Sequence, residues 1–268
     1  MGFVDNRGVR IAYEVHGAPS PATPLVLVHA FPLSRAMWNR VTGELAAARQ
    51  VVTVDLRGFG ESDVAADGAM DRMAQDVRAV VMAESLGRVA VAGLSMGGYV
   101  SMAYLRRYPL DVAALVLANT RAAGDSDVAR RGRLALIEQI RKGGTIAAVE
   151  ALMPKLLAPE ANSERIELVD EVRAMAMAAR PEGVIAALTG MAIRSDSTDL
   201  LAAVSMPYLV IAGTRDALIP YEDQARMAAA IEGAELVSIE GAGHLSSLEN
   251  PEAFVSAIVG FMERVDAL

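Results

Sequence analysis

Three side chains of the sequence have the types and settings needed for nucleophilic attack on a carbonyl: Ser95, His244 and Asp216. Ser95 lies in Gly93-Leu94-Ser95-Met96-Gly97, between a strand-like run at Arg88–Ala92 and a helix-length segment at Met96–Tyr108. A strand that turns directly into a helix strains the backbone at the serine, tolerates only small neighbours and lifts the hydroxyl into the open. Gly93, Gly97 and Gly98 are those small neighbours. The helix amino terminus adds a field that favours a developing anion. The plain alternative use of such a serine is a helix N-cap.

A hydroxyl attacks only with a base beside it, and the chain has three histidines, His16, His29 and His244. His16 ends an early strand beside Gly17 and reads as a surface or turn residue. His29 precedes Ala30-Phe31-Pro32 and reads as a loop-shaping residue. His244, in Gly241-Ala242-Gly243-His244-Leu245, follows the strand Leu236–Ile239, and open α/β sheets place their sites at the carboxyl ends of strands. It is assigned as the base. A carboxylate must hold its tautomer, and Asp216, after the strand Tyr208–Ala212, gives the chain order Ser, Asp, His. Asp196, Asp199 and Glu240 are the weaker candidates, and Asp55, within Asp55–Ser62, reads as part of a structured turn. Two backbone N–H groups must face the oxyanion. Met96 supplies one. Phe31 is assigned the other because Pro32 has no N–H to give, with Ala30 as the alternative. An unperturbed imidazole titrates near about 6.5, so turnover through His244 is expected to fall on the acid side of neutrality.

These residues need elements to hold them. Strand-like runs occur at Arg10–Val15, Leu25–His29, Val51–Val54, Arg88–Ala92, Ala114–Leu117, Tyr208–Ala212 and Leu236–Ile239. Leu25–Val28 and Leu209–Ala212 are continuously apolar, as in a parallel sheet covered on both faces. Helix-length segments alternate with them at Ser34–Ala48, Met70–Ser85, Met96–Tyr108, Tyr221–Ile231 and Pro251–Val265, which predicts an α/β class. The alternation stops between Arg121 and Leu200, where strand runs and aromatic residues are both missing. Gly143-Gly144, Pro154, Pro159 and Pro181 cut that segment into three or four expected helices. Because strand alternation resumes after it, residues 121–200 are read as a cap over a core made of residues 1–120 and 201–268. Leu152, Met153, Leu156, Leu157, Met175, Met177, Leu188 and Met191 are expected to face downward from it. Met153 and Leu157, with Phe31 and Trp38 from the sheet side, are the expected substrate contacts. Such a Met-rich aliphatic lining adapts to flexible chains, although the same stripe would also serve simply to pack the cap.

Composition narrows the class further. The 268 residues are 53% hydrophobic and 22% charged, which supports a large core and excludes disorder. A net charge of −8 with no run of Lys or Arg argues against nucleic acid as a partner. With no cysteine, thiolate metal sites and thiol nucleophiles are impossible. No His/Asp/Glu cluster has metal-ligand spacing, so no metal is expected. Gly58-Phe59-Gly60 and Gly241-Ala242-Gly243 lack the third glycine of a dinucleotide loop, and no cofactor is expected. The amino terminus shows no basic segment followed by an apolar run, and Val89–Leu105 is too short and too interrupted to span a bilayer. A cytoplasmic protein without stable membrane association is the expectation.

Taken together, His29–Pro32, Asp55–Ser62, Gly93–Gly97, Gly213–Pro220 and Gly241–Pro251 resemble the oxyanion loop, D-x-R-G-x-G-x-S turn, nucleophile turn, acid loop and histidine loop of the α/β-hydrolase fold family. The resemblance extends over essentially the whole chain. It implies a mostly parallel eight-stranded sheet flanked by helices, with the second strand antiparallel and a helical cap inserted after the sixth strand. Within the family the chain looks most like small-capped carboxylesterases and 3-oxoadipate enol-lactonase-like hydrolases. It departs from the pattern at Ala30, where Gly is usual. Relatives that use an Asp nucleophile, the haloalkane dehalogenases and epoxide hydrolases, differ from it at Ser95. The expected function is cofactor-independent cleavage of a small-molecule carboxylic ester or lactone through an acyl-enzyme. The alternatives are C–C cleavage, elimination or perhydrolysis by the same three residues, or a slow-hydrolysing, receptor-like ligand-binding protein.

Overall fold

Uninterrupted apolar strands need cover on both faces, and the architecture supplies it. A computed structural model describes residues 1–268. Its strands are β1 (Gly2–Asp5), β2 (Arg10–His16), β3 (Leu25–Val28), β4 (Val51–Val54), β5 (Val89–Leu94), β6 (Val112–Ala118), β7 (Tyr208–Gly213) and β8 (Glu235–Ile239). They form one sheet in the order β1-β2-β4-β3-β5-β6-β7-β8. β2 is antiparallel to β1 and β4, and every other pairing is parallel. The helices are α1 (Asn39–Leu45), α2 (Met70–Ala83), α3 (Met96–Arg107), α4 (Asp127–Gly143), α5 (Ile146–Leu156), α6 (Pro159–Glu164), α7 (Ile166–Met177), α8 (Pro181–Ala192), α9 (Thr198–Ala203), α10 (Tyr221–Ala229), α11 (Ser246–Glu249) and α12 (Pro251–Asp266).

Residue parity along the central strands divides the interior into two cores. Val26, Val28, Val91, Leu115, Leu117 and Val210 face one core with α2, α3 and α10. Leu25, Leu27, Ala90, Ala92, Val116 and Ile211 face the other with α1 and α12. Successive side chains of a strand point to opposite faces, so a strand buried on both has no polar alternation left to show. No helix is long and apolar enough to cross a membrane.

The structure amends the sequence reading in several places. β1 has no counterpart among the expected strands: it is an edge strand of four residues with only every second residue half-buried, too short to show a pattern. The segment expected as one helix over Ser34–Ala48 begins as a 3₁₀ turn at Arg35–Trp38, and α1 ends at Leu45. The backbone N–H of Arg35 donates to Asp55 Oδ1 at 2.7 Å, which anchors that turn to the sheet.

Between β6 and β7 there are six helices, α4 to α9, not three or four. Pro159 and Pro181 open α6 and α8, where a missing N–H costs nothing. Pro154, expected to break a helix, lies inside α5. Of the residues expected to face downward, Met177 is 42% exposed. The buried stripe of α7 is Leu168, Val172 and Ala176, four residues apart, and Met177 falls off it. Met153, Leu156, Leu157, Leu188 and Met191 are buried, while Leu152 and Met175 are half-buried.

Candidate active site

The turn between β5 and α3 is built by close backbone approach. Ser95 adopts φ 55° and ψ −113°, a left-handed conformation that a residue with a Cβ holds only under strain. Its carbonyl accepts from Gly98 N–H at 2.9 Å and from Thr120 Oγ1 at 2.9 Å, while its own N–H donates to Ala118 O at 2.9 Å. From Val89 to Leu105 every residue is buried except Ser95. Its hydroxyl makes no hydrogen bond within the protein and does not cap α3.

The flanking glycines are needed for space. A Cβ on Gly97 would lie 2.0 Å from Val28 O, and one on Gly93 would lie 2.2 Å from Gly97 C. Both obstacles are backbone and cannot swing aside. Gly97→Ala is therefore expected to destabilise the fold by at least about 3 kcal/mol. Gly43→Ala in α1, where an added Cβ meets nothing within 4 Å, should instead stabilise by about 0.5–1 kcal/mol. Urea unfolding of both variants checks the pair, and a Gly97→Ala protein as stable as the parent would refute this account of the turn.

β7 and β8 deliver the other two residues. His244 Nδ1 lies 2.9 Å and 3.0 Å from the two carboxylate oxygens of Asp216, and both side chains are almost wholly removed from solvent. Asp216 Oδ1 also accepts from the N–H groups of Leu218 at 2.8 Å and Ile219 at 2.9 Å. Oδ2 accepts from Asn119 Nδ2 at 3.0 Å. Burial alone would raise the pKa of this carboxyl. His244 and the donors from Ile219 and Asn119 outweigh that and hold it below the usual carboxylate range. An ionised Asp216 fixes Nδ1 of the imidazole as the protonated nitrogen, which leaves Nε2 as the free base.

The loop Ala30–Pro32 carries two backbone N–H groups, those of Ala30 and Phe31. Ala30 N–H is taken up by Met37 Sδ at 3.2 Å. Phe31 N–H and Met96 N–H have no acceptor within the protein. His29 shapes the loop as expected. Its Nε2 accepts from Leu56 N–H at 3.0 Å, so Nδ1 carries the proton and donates to Ala30 O at 2.9 Å. Burial keeps it neutral by pushing its pKa down, against the opposing pull of Asp55 and the Ala30 carbonyl.

Asp55 belongs to its turn and not to the His244 pair. It accepts from Arg35 and from Glu61 N–H, and a Cβ on Gly60 would overlap its carboxylate. Asp196 caps Thr198 and Gly124 N–H groups, Glu240 binds Thr214, and Asp199 is exposed on α9. His16 stands 3.5 Å from Thr53 Oγ1 on β4.

The expected substrate contacts are placed unequally. Phe31 is 7% exposed and meets Phe59 edge-on at 6.1 Å. The backbone of Leu157 abuts the histidine loop, since a Cβ on Gly243 would lie 2.6 Å from Leu157 C. Trp38 is fully buried against Phe254, with ring centroids 6.0 Å apart. Met153 is buried in the second core and borders a groove between α5, α6 and α7 with Pro154, Pro159, Asn162 and Val169. The sequence reading missed Asn119, which also donates to Gly243 O at 3.1 Å and accepts from Ser246 Oγ at 2.5 Å. An asparagine directly after a strand, in a left-handed conformation of φ 46°, is the signal that could have marked it.

Comparison with known proteins agrees with this architecture. The chain is 32% identical over 262 residues, 95% of its own length and 97% of the relative's, to a protein of Variovorax paradoxus named for carbamate hydrolysis. It is 24% identical to 3-oxoadipate enol-lactonase 1 of Acinetobacter baylyi, over 98% of this chain and 97% of that one. Among solved structures, a thermophilic esterase from Thermogutta terrifontis, determined with malate bound, superposes with a TM-score of 0.93 at 39% identity, covering 98% of this chain and 97% of the esterase. The family model described as the alpha/beta hydrolase family matches residues 25–257, and the chain belongs to that family.

Proposed function

We propose that the protein is a serine hydrolase that cleaves carboxylic esters or lactones of small molecules through an acyl-enzyme. The observation that carries the reading is the hydrogen-bonded Asp216–His244 pair on the carboxyl side of the same sheet that presents Ser95 on its strained turn. Ser95 Oγ attacks the substrate carbonyl carbon as His244 Nε2 takes the hydroxyl proton. The oxygen of the tetrahedral intermediate gains the negative charge and accepts from Phe31 and Met96 N–H. Collapse breaks the C–O bond, and His244 passes its proton to the leaving alkoxide. A water molecule, deprotonated by His244, then attacks the acyl carbon; the bond from that carbon to Ser95 Oγ breaks, His244 returns the proton to Oγ, and the carboxylic acid departs.

The helices between β6 and β7 act in this reading as a cap whose apolar side chains meet the acyl or alcohol group. Aliphatic esters and lactones of short to medium length are expected to outperform a benzoyl ester of the same alcohol. Each methylene adds up to about 0.8 kcal/mol to transition-state binding until the pocket fills. The test measures kcat/KM across a homologous p-nitrophenyl acyl series and a lactone set, beside a carbamate, a diketone and hydrogen peroxide with acetate. Steady turnover of the esters with a rise along the series supports the reading. Activity confined to the diketone or to peroxide would replace it with C–C cleavage or perhydrolysis. A single slow turnover would favour a ligand-binding role.

A further inference from the structure

Glu249, the last residue of α11, has no part in the chemistry just described, yet both of its carboxylate oxygens are in use and it is 8% exposed. Oε1 accepts from Gly243 N–H at 2.9 Å, directly beside His244. Oε2 accepts from Ala158 N–H at 2.8 Å, at the corner between α5 and α6. The same two chain segments also meet without it. Leu245 N–H donates to Leu156 O at 3.1 Å, and a Cβ on Gly243 would stand 2.3 Å from Ala158 N. From outside, Arg165 donates through Nη1 to the main-chain carbonyl of Glu249 at 2.6 Å. On its other side, the Gly243 carbonyl is tied to Asn119, which also holds Asp216.

We infer that Glu249 is a positioning residue that pins the Leu156–Ala158 corner of the helical insertion to the Gly243–Leu245 loop, so that the placement of this corner sets the placement of the His244 imidazole. The inference rests on His244 being the base proposed above. A carboxylate suits the task because it accepts at both ends and donates at neither. Its two acceptors face two backbone N–H groups that would otherwise be buried without partners. Burial raises the carboxyl's pKa, while the Ala158 and Gly243 N–H groups and Arg165 pull it the other way. The mutual contact of loop and corner is backbone on backbone, so no side-chain rotation can absorb a shift of one relative to the other.

Glu249→Gln keeps the size of the side chain but replaces one acceptor by an amide NH₂, which must point at one of the two N–H groups. Displacement of a catalytic group by about 1 Å costs on the order of 10²-fold in rate. Glu249→Gln is therefore expected to lower kcat on a p-nitrophenyl ester by about 10- to 100-fold with KM within about threefold. The rate of fluorophosphonate labelling at Ser95 should fall in parallel. Arg165→Met, at an exposed position, should fold normally and lower kcat by about two- to fivefold. If Glu249→Gln does not fold, Arg165→Met decides alone. Unchanged kcat and labelling rate per folded molecule in the variants, with only a lower Tm, would show that Glu249 merely supports the fold and would overturn the inference. Labelling needs no knowledge of the substrate, so a parent protein that labels but turns over no ester or lactone sinks the ester reading while the labelling ratios still judge Glu249.

Discussion

Ser95→Ala should leave the protein folded and remove covalent labelling by a fluorophosphonate, with ester turnover lower by about 10⁴- to 10⁶-fold. The fold is expected to survive because the hydrogen bonds that shape the turn all run through backbone atoms of Ser95, while its hydroxyl makes none. Alanine has the same Cβ and meets the same left-handed φ of 55°. Turnover is lost because no other hydroxyl shares the turn. Thr120 Oγ1 is committed to the carbonyl of Ser95 and Ser101 Oγ to that of Gly97. His244→Ala should come close to the same loss, and the double variant should be little worse than either alone, since groups that act as a unit do not lose activity additively. His16→Ala, whose native ring faces Thr53 and Glu14, should label at the parental rate. Labelling of Ser95→Ala at the parental rate would place the nucleophile elsewhere.

The sequence made these residues legible for local reasons and hid others for non-local ones. Gly93, Gly97 and Gly98 flank Ser95 because backbone or Thr120 occupies the space their side chains would need, so a contact between distant parts of the fold is written as a short local pattern. Leu25–Val28 and Tyr208–Gly213 are readable as strands because burial on both faces leaves a continuous apolar run. β1 lacks that cover and leaves no such trace. The helices of the insertion are undercounted because α6 and α7 are separated by a single residue, Arg165, without Gly or Pro. Asn119 and Glu249 act through partners 97 and 91 residues away in the chain, and no spacing within their own segments announces this. The burial of Trp38 likewise follows from α12, which comes near the end of the chain and lays Phe254 against it.

Asp216→Asn is expected to lower kcat by about 10³- to 10⁴-fold while Ser95 and His244 both remain in place. The carbonyl oxygen of the new amide, in the place of Oδ1, can still accept from Leu218 and Ile219 N–H, so the loop keeps its shape. The position of Oδ2 becomes an NH₂, which faces the Nδ2 donor of Asn119 and the Nδ1–H of His244. One escape is for the imidazole to move its proton to Nε2, and the nitrogen that must receive the Ser95 proton is then occupied. Nitrogen-15 NMR of the His244 ring distinguishes the tautomers: the parent should carry the neutral proton on Nδ1 and the variant on Nε2. Stability should follow pH with a definite sign. The pKa of Asp216 is lower in the folded protein, so its stabilising contribution is present above the unfolded value near about 3.9 and is lost as pH falls through the folded one. The stability gap between parent and Asp216→Asn should therefore be open at neutral pH and close in strong acid. The same low pKa keeps Asp216 ionised between roughly pH 5 and 8, so a fall of parental activity in that interval is not to be assigned to protonation of Asp216. A variant that retains activity within about tenfold of the parent, with an unchanged tautomer, would require another group to orient His244, and no second carboxylate is hydrogen-bonded to that ring.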